Sequence, residues 1–120
     1  AFPEMQNYLS TDGQAYRSKI VSSTITGRTR AGCTFTQSKN FPFQGLAADG
    51  AKISMFNLVT AGFRVVNYVH DEFVIEIPDD EFLHRRRSEA EKIMIDGMKI
   101  VCPDVEIRIE SDICDYWKKL

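Results

Sequence analysis

A row of three polar residues interrupts two runs that otherwise have the composition of buried β-strands. His70, Asp71 and Glu72 lie between the run FRVVNYV at 63–69 and the run FVIEI at 73–77. Both runs are rich in β-branched and aromatic residues, so they predict an antiparallel hairpin with the polar trio at its tip. Burying these groups without partners would be costly or would force proton uptake. The trio therefore needs a structural or a functional explanation.

Two explanations of the trio are open. The first is a solvated turn, since turns are normally polar. A short hairpin tip usually carries Gly or Asn, which adopt positive φ at little cost, and the trio contains neither. The second is a metal site, because carboxylates on a rigid tip offer oxygen ligands to a hard divalent ion such as Mg²⁺. Asp71 and Glu72 are adjacent and point in different directions, so we expect only one of them to bind the ion directly.

The rest of the chain predicts an α+β fold in which an antiparallel sheet has helices packed on one face. Periodicity of apolar residues, together with Pro and Gly punctuation, sets the expected elements. In chain order these are a helix over 3–9 ended by 11–13, strands over 16–26 and 31–36 joined by a turn at 27–29, a helix over 43–61, the hairpin, a helix over about 80–100 and a strand over 105–109.

Each of the two long helices is expected to bury one face. In the first, small and apolar residues repeat at helical spacing between Pro42 and Gly62; they are Ala47, Ala48, Ala51, Met55, Leu58 and Val59. In the second, the expected core face consists of Leu83, Ala90, Ile93, Met94, Gly97 and Val101. Its expected solvated face, with charges of alternating sign, consists of Arg85, Glu89, Lys92, Asp96 and Lys99. The acids at 79–81 favour the positive end of this helix.

Length and charge limit the classes of protein that this chain could represent. Its 120 residues suit a single domain, residues 1–120, with one core. The formal net charge of −2 argues against a protein that coats nucleic acid by bulk charge, so any phosphate binding needs a local patch. Basic residues occur in the first third, at Arg17, Lys19, Arg28, Arg30 and Lys39, whereas acids crowd from Asp71 onward. This separation is compatible with one half that faces nucleic acid.

Cysteine usage and hydropathy indicate the compartment. Cys33, Cys102 and Cys114 are odd in number and widely spaced, which excludes a closed disulfide framework and a CxxC zinc site. Reduced, cytosol-like surroundings are therefore expected. Because no apolar run approaches the roughly 18 residues of a membrane helix and no signal-like leader is present, we expect neither secretion nor a membrane partner.

Several motifs in the chain have the order and spacing of one known family. The segment VHDE at 69–72, with its flanking strands, resembles motif C of the family A DNA polymerases, the family of bacterial repair polymerases and their phage relatives. Upstream, NFPFQGLAAD at 40–49 resembles the family's N-x-P-x-Q-G-x-A-A-D segment, and GRTR at 27–30 resembles its G-R-x-R turn. Residues 106–117 resemble the closing strand and the terminal tryptophan segment. The resemblance covers nearly the whole chain, and the order and spacing of the motifs make it specific.

The resemblance implies roles for the hairpin tip. Asp71 matches the motif C aspartate that binds the catalytic Mg²⁺ ions, and Glu72 matches the neighbouring catalytic acid, which has a lesser role. His70 matches a histidine that lies near the primer end, where it contacts DNA.

The resemblance also implies four further DNA-binding residues. Asn40 and Gln44 match residues that contact the duplex minor groove close to the primer terminus, and Arg28 and Arg30 match basic residues on the nucleic-acid side. Each has an alternative interpretation that needs no DNA. Gln44 could serve the backbone at a helix start, Asn40 could be a cap or turn residue, and the two arginines could be ordinary turn charges.

Two of the family's motifs have no counterpart in these residues. They are motif A, with the second metal-binding aspartate, and motif B, which holds the incoming nucleotide. The resemblance therefore implies the C-terminal palm part of a DNA polymerase that adds deoxynucleotides to a primer 3′ hydroxyl with two Mg²⁺ ions. We expect this part to be inactive alone and to have primer–template DNA, deoxynucleoside triphosphates and the rest of the polymerase as partners, in the cytoplasm of a bacterium or phage-infected cell.

Two other functions are open. One is a non-catalytic module that binds duplex DNA or another subunit, such as one half of a split polymerase. The other is a small metal-dependent hydrolase, which would need more acids or histidines than His70, Asp71, Glu72 and the solvated His84 provide.

Overall fold

The computed structural model describes residues 3–10 and 20–119. Its elements are α1 (Pro3–Ser10), β1 (Ile20–Ser23), β2 (Thr29–Cys33), α2 (Phe35–Thr60), β3 (Arg64–Val69), β4 (Glu72–Glu76) and α3 (Leu83–Val101). The predicted α+β class is confirmed. In the described residues the strands form two separate two-stranded antiparallel sheets, β1–β2 and β3–β4. The predicted turn at 11–13 and the first part of the predicted strand, 16–19, lie outside the described residues.

The chain divides into two compact units, Ala1–Ala48 and Asp49–Leu120, and α2 runs from the first into the second. The prediction of a single domain stays a prediction. None of the helices in the described ranges combines the length and the apolar composition that crossing a bilayer requires.

In the first unit, α2 packs against the turn that joins β1 to β2. The turn is closed by backbone hydrogen bonds from Thr24 N to the carbonyl of Arg28 at 2.9 Å and from Gly27 N to the carbonyl of Thr24 at 3.0 Å. Gly45 of α2 is buried against it, and a Cβ on Gly45 would lie only 2.8 Å from Thr24 Cγ2. A side chain at position 45 would therefore require Thr24 or the helix to shift.

The helix α2 begins at Phe35, whereas the sequence predicted a start at Phe43 after a break at residues 40–42. A reciprocal capping box explains the early start. Thr34 Oγ1 accepts a hydrogen bond from Gln37 N at 3.3 Å, and Gln37 Oε1 accepts one from Thr34 N at 3.1 Å. Two backbone donors that a helix start leaves without intrahelical partners are thereby satisfied. The pattern Thr-x-x-Gln at 34–37 was the signal that could have located this start.

Pro42 lies inside α2 because another residue replaces the hydrogen bond that proline cannot make. A residue at position 42 would normally donate its N–H to the carbonyl of Ser38, and proline has no N–H. That carbonyl instead accepts a hydrogen bond from Ser22 Oγ at 2.9 Å in a buried position. Since the acceptor is satisfied from β1, the helix continues through the proline and the predicted break is wrong.

In the second unit, α2 and α3 approach closely through small residues. Gly97 is buried beside Ser54, and a Cβ on Gly97 would lie 2.9 Å from the Cα of Ser54. Ser54 Oγ donates a hydrogen bond to the carbonyl of Met94 at 3.1 Å. Gly50 is likewise buried, and a Cβ there would meet Val101 Cγ2 at 3.0 Å. The absence of side chains on the glycines is what lets the two backbones come together.

The buried face of α2 differs from the predicted one. The buried residues of α2 in the second unit are Gly50, Ser54 and Leu58, which repeat at a spacing of four. Of the predicted core residues, Leu58 is buried, whereas Ala47 and Val59 are exposed. Hydrophobicity alone misses a contact face built from Gly and Ser. For α3 the prediction holds better. Of the predicted core face, Ala90, Gly97 and Val101 are buried, and Leu83, Ile93 and Met94 are half-buried. Every residue of the predicted solvated face is exposed: Arg85, Glu89, Lys92, Asp96 and Lys99.

The start of α3 and the segment after it both depart from the prediction. The helix begins at Leu83, and Asp80 prepares it by accepting hydrogen bonds from Phe82 N at 2.9 Å and from Arg86 Nη1 at 2.9 Å. The predicted strand at 105–109 does not form, although Ile107 and Ile109 are half-buried. A strand needs a neighbouring strand to bond, and the described part of the chain offers this segment none.

Candidate functional site

The β3–β4 hairpin carries the predicted polar trio, with a tighter tip than predicted. Val69 pairs with Glu72 and Tyr68 with Phe73, so the loop consists of His70 and Asp71 alone. The expectation of a three-residue tip is wrong, because Glu72 is the first residue of β4. The rings of Tyr68 and Phe73 stack with centroids 4.8 Å apart, directly behind the loop. The stacked rings of Tyr68 and Phe73 thus support the two-residue loop from the adjoining strands.

His70 adopts a backbone conformation that non-glycine residues rarely take. Its φ is 57°, and it is the only non-glycine residue with positive φ in the ranges 3–10 and 20–119. Positive φ at the first but not the second loop residue is the pattern of a type II′ turn, whose first position normally holds Gly. A residue with a Cβ there costs about 1–3 kcal/mol, and such strain concentrates at functional sites. The tip therefore holds His at position 70, where Gly would be more stable.

The two acids of the tip have different surroundings. Asp71, in the loop, is exposed, as is His70. Glu72 is half-buried, and its Oε1 accepts a hydrogen bond from the indole Nε1–H of Trp117 at 3.0 Å. Asp71 is thus an exposed carboxylate at the apex of the hairpin, whereas the carboxylate of Glu72 already accepts a hydrogen bond. Sequence reasoning assigned no role at the tip to Trp117, and nothing local to either residue signals the pairing.

The carboxylate of Asp71 fits a metal as a single ligand. Mg²⁺ in phosphoryl-transfer sites is typically held by one or two carboxylates together with substrate phosphates. Within residues 3–10 and 20–119 no group of three or more His, Cys, Asp or Glu side chains is placed to hold a metal ion. A metal bound at Asp71 would therefore have at most one further ligand among the His, Cys, Asp and Glu side chains of these residues.

At the end of the hairpin opposite the tip, an ion pair joins the two strands. Arg64 Nε lies 3.2 Å from Glu76 Oε2 across the first paired positions, and both side chains are largely exposed. Exposed pairs of this kind contribute little to stability. Between Val65 and Asn67 the register shifts by an irregularity in the pairing. Such bulges increase the local twist of a hairpin, which sets the direction of its tip.

Asn40 and Gln44, the predicted minor-groove residues, both lie in α2 in the first unit. They are four residues apart, so they lie on the same helix face, and both are exposed. Because the helix begins at Phe35, neither residue is at its start. The alternative interpretations, Gln44 serving the helix start and Asn40 acting as a cap or turn, are therefore excluded. Asn40 and Gln44 are thus two exposed amide side chains on one face of α2.

Arg28 and Arg30, the predicted basic residues, lie at the turn and on β2 of the same unit. Both are exposed. The side chain of Arg28 runs along α2, since its Cδ lies 3.4 Å from where a Cβ on Gly45 would be. Arg30 pairs across the sheet with Ser22. The first unit therefore holds these four predicted residues and the second unit holds the hairpin tip.

Comparison with known proteins identifies DNA polymerases over most of the chain. The chain is 32% identical over 109 residues to DNA polymerase I of Aquifex aeolicus (strain VF5), covering 86% of the chain and 19% of that protein. It is 35% identical over 83 residues to the thermostable DNA polymerase I of Thermus filiformis, covering 65% of the chain and 9% of that protein. The predicted resemblance is confirmed. The chain spans less than a fifth of the length of these curated relatives.

Two other comparisons give no match. No protein-family model and no solved structure matches the chain.

Proposed function

We propose that this chain is the C-terminal palm part of a family A DNA polymerase. The observation that carries the proposal is the VHDE hairpin, which has an exposed Asp71 at a strained two-residue tip, within a chain similar to bacterial DNA polymerase I. In the whole enzyme the reaction is the template-directed addition of a deoxynucleotide to a primer 3′ hydroxyl.

Asp71 is the proposed metal ligand of the tip. Bound Mg²⁺ would supply charge stabilisation to the primer hydroxyl and to the leaving pyrophosphate. The exposure of Asp71 at the apex supports this role, because its carboxylate is accessible to an ion shared with a substrate. The stacked pair Tyr68–Phe73 and the tight turn support the backbone that carries Asp71. Charge placed in advance where it is needed is what lowers barriers in phosphoryl transfer. His70, beside it, would lie near the primer end.

The first unit is proposed to contact the primer–template duplex. Asn40 and Gln44 present amide donors from one helical face, and minor-groove acceptors at purine N3 and pyrimidine O2 occur in every correct base pair. Arg28 and Arg30 would contact phosphates, which carry no sequence information and position the duplex. These contacts suit an enzyme that must accept every sequence.

The partners of the chain follow from what it lacks. A second metal-binding carboxylate and the residues that hold the deoxynucleoside triphosphate would come from the remainder of the polymerase. One carboxylate cannot place two metals, so the isolated chain is expected to incorporate no nucleotide. The proposed setting is the cytoplasm, at the DNA of a bacterium or a phage-infected cell.

A complementation experiment tests the proposal. The purified chain is assayed for extension of a primed template with Mg²⁺ and all four deoxynucleotides, alone and after mixing with a protein that carries motifs A and B. We expect no extension by the chain alone and clear extension by the mixture, abolished by Asp71→Ala. Extension by the pure chain would refute this account of the site, and absence of any gain in the mixture would contradict the polymerase proposal.

The alternative is a non-catalytic module that binds duplex DNA or a subunit. The exposed amides and arginines of the first unit favour it over other classes. As a module that only binds duplex DNA, it predicts that the chain binds duplex DNA with affinity that falls as salt rises, and that no mixture gains polymerase activity.

A further inference from the structure

The segment after α3, residues 102–119, has no helix or strand, and side-chain hydrogen bonds attach it at two places to the rest of the second unit. The first attachment is to α3. Arg87 donates to Ser111 twice, from Nε to Oγ and from Nη2 to the carbonyl, each at 2.7 Å. Arg87 Nε also lies 3.2 Å from Glu91 Oε1, and Ser111 Oγ donates to that same carboxylate. Because one guanidinium engages both backbone and side chain, the position of Ser111 is well defined.

The second attachment is to the hairpin tip. The indole of Trp117 can only donate, and Glu72 as a carboxylate can only accept, so the 3.0 Å bond from Nε1 to Oε1 has one possible direction. Hydrogen bonds to a charged acceptor are stronger than neutral ones. Trp117 is 56% exposed, so burial of its ring alone does not account for its placement.

The residues between the two attachments fold back locally. Asp112 Oδ1 accepts a hydrogen bond from Ile113 N at 2.9 Å, and Asp112 Oδ2 lies 3.6 Å from Lys118 Nζ. This ion pair joins the residue after Ser111 to the residue after Trp117. The indole of Trp117 therefore lies in a short segment, residues 112–118, whose two ends are joined by an ion pair.

We propose that Glu72 is a positioning residue, held by Trp117, and that it acts through Asp71 rather than by binding the metal itself. Glu72 is the first residue of β4, paired with Val69, and directly follows Asp71 in the chain. The hydrogen bond from Trp117 restrains the side chain of Glu72, and with it the end of the strained turn that carries Asp71. The role in catalysis rests on the proposed polymerase function, whereas the restraint itself is a property of the folded chain.

The restraint can be tested on the chain without any activity, since Trp117 is its only tryptophan. Glu72→Ala should shift the emission of Trp117 and speed hydrogen exchange of the backbone amides at 70–73 by about threefold to tenfold, the range expected for one lost hydrogen bond. Glu72→Gln, which keeps an acceptor oxygen, should show a smaller change. Tyr116→Phe, at a 75% exposed neighbouring ring, is the matched control and should show none. Unchanged emission and exchange in Glu72→Ala would overturn the proposal.

The catalytic part is tested by a double-mutant cycle in an active assembly. Trp117→Phe removes the donor and keeps an aromatic ring. Glu72→Ala and Trp117→Phe should each lower kcat by about threefold to tenfold, and the double variant should be no worse than the poorer single one, because both remove the same bond. The Mg²⁺ concentration for half-maximal rate should stay that of the parent, and Glu72→Gln should recover part of the loss.

Additive losses would show that Glu72 and Trp117 act independently, and a raised Mg²⁺ requirement in the Glu72 variants alone would show Glu72 to be a metal ligand. Either result would overturn the proposal. Failure of the polymerase function is separate from this result. If no assembly extends a primer, the polymerase proposal fails, and the emission and exchange measurements alone support or overturn the restraint.

Discussion

The hydroxyl of Ser22 donates a hydrogen bond to the backbone carbonyl of Ser38 at 2.9 Å, and this bond lets α2 pass through Pro42. The acceptor is the carbonyl that an N–H at position 42 would otherwise bond. Its loss would leave a buried acceptor without a partner. The continuity of α2, and with it the placement of Asn40 and Gln44 on one face, therefore depends on a serine in β1.

Ser22→Ala should lower the free energy of unfolding by about 1–3 kcal/mol, the cost of a buried polar group left unsatisfied. In a Pro42→Ala background the same change should cost much less, since the restored N–H can bond the Ser38 carbonyl. Chemical denaturation of the four proteins in this cycle measures the coupling. Ser23→Ala, at an exposed neighbouring position, is the control. Equal losses in both backgrounds would contradict the role given to Ser22.

His70→Gly should raise stability by about 1 kcal/mol, because Gly adopts positive φ without the steric cost of a Cβ. His70→Ala keeps the Cβ and should not stabilise the chain, which makes it the matched control. In an active assembly both variants should extend primers more slowly, since they lose the imidazole that is proposed to lie near the primer end. Thermal melting and primer extension on the same samples check the two effects. A His70→Gly variant less stable than the parent would refute the strain at the tip.

Asp71→Ala should reduce nucleotide incorporation by an active assembly at least about 100-fold, because a metal that has lost a carboxylate ligand no longer sits where charge develops. Thermal stability should change little, since Asp71 is exposed. Single-turnover extension at saturating Mg²⁺ is the measurement, with Asp79→Ala, at an exposed acid beyond β4, as the control. A loss no greater than that of the control would remove Asp71 from the site.

Gln44→Ala should slow primer extension and change the ratio of matched to mismatched extension without lowering the melting temperature. The side chain is exposed in the interior of α2, where Ala is the better helix former. Gln37→Ala provides the opposite result for comparison. It removes one half of the capping box and should cost about 0.5–2 kcal/mol of stability while leaving the mismatch ratio unaltered. A destabilised Gln44→Ala variant with an unaltered ratio would rule out the minor-groove role.

Acid should remove the contribution of the Asp80–Arg86 pair to stability. Hydrogen bonds from Arg86 and from the backbone of Phe82 hold the pKa of Asp80 below its ordinary value of 3.8. A depressed folded-state pKa stabilises the fold above the unfolded-state value, and the stabilisation is lost as the pH falls through the folded-state value. Asp80→Asn keeps an oxygen for Phe82 N but no charge for Arg86.

The Asp80→Asn variant should therefore be less stable than the parent at neutral pH, and the difference should shrink as the pH falls below 3.8. Chemical denaturation across this range measures it, with Asp79→Asn as the control. A difference that stays constant with pH would show that the ion pair is not its source.

Local pattern was enough for much of the fold. The hairpin at 64–76 was predictable because β-branched and aromatic runs on both sides of a polar tip leave few other structures. The faces of α3 were predictable because charges and apolar residues alternate at helical spacing, so burial follows from periodicity alone. The similarity to DNA polymerase I was visible in the motifs for the same reason, since each is a short run of residues contiguous in the chain.

What the sequence by itself determined was therefore the set of locally encoded elements and the identity of the candidate residues. Tertiary structure decided the features that depend on partners distant in the chain. Pro42 remains helical because Ser22 satisfies the carbonyl of Ser38, which is sixteen residues away from it in the chain. The alternating residues 105–109 do not form a strand without a neighbour to bond. Glu72 differs from Asp71 because an indole 45 residues distant donates to it. Which groups form a hydrogen bond depends on their proximity in space, and periodicity along the chain does not predict that proximity for residues far apart in sequence.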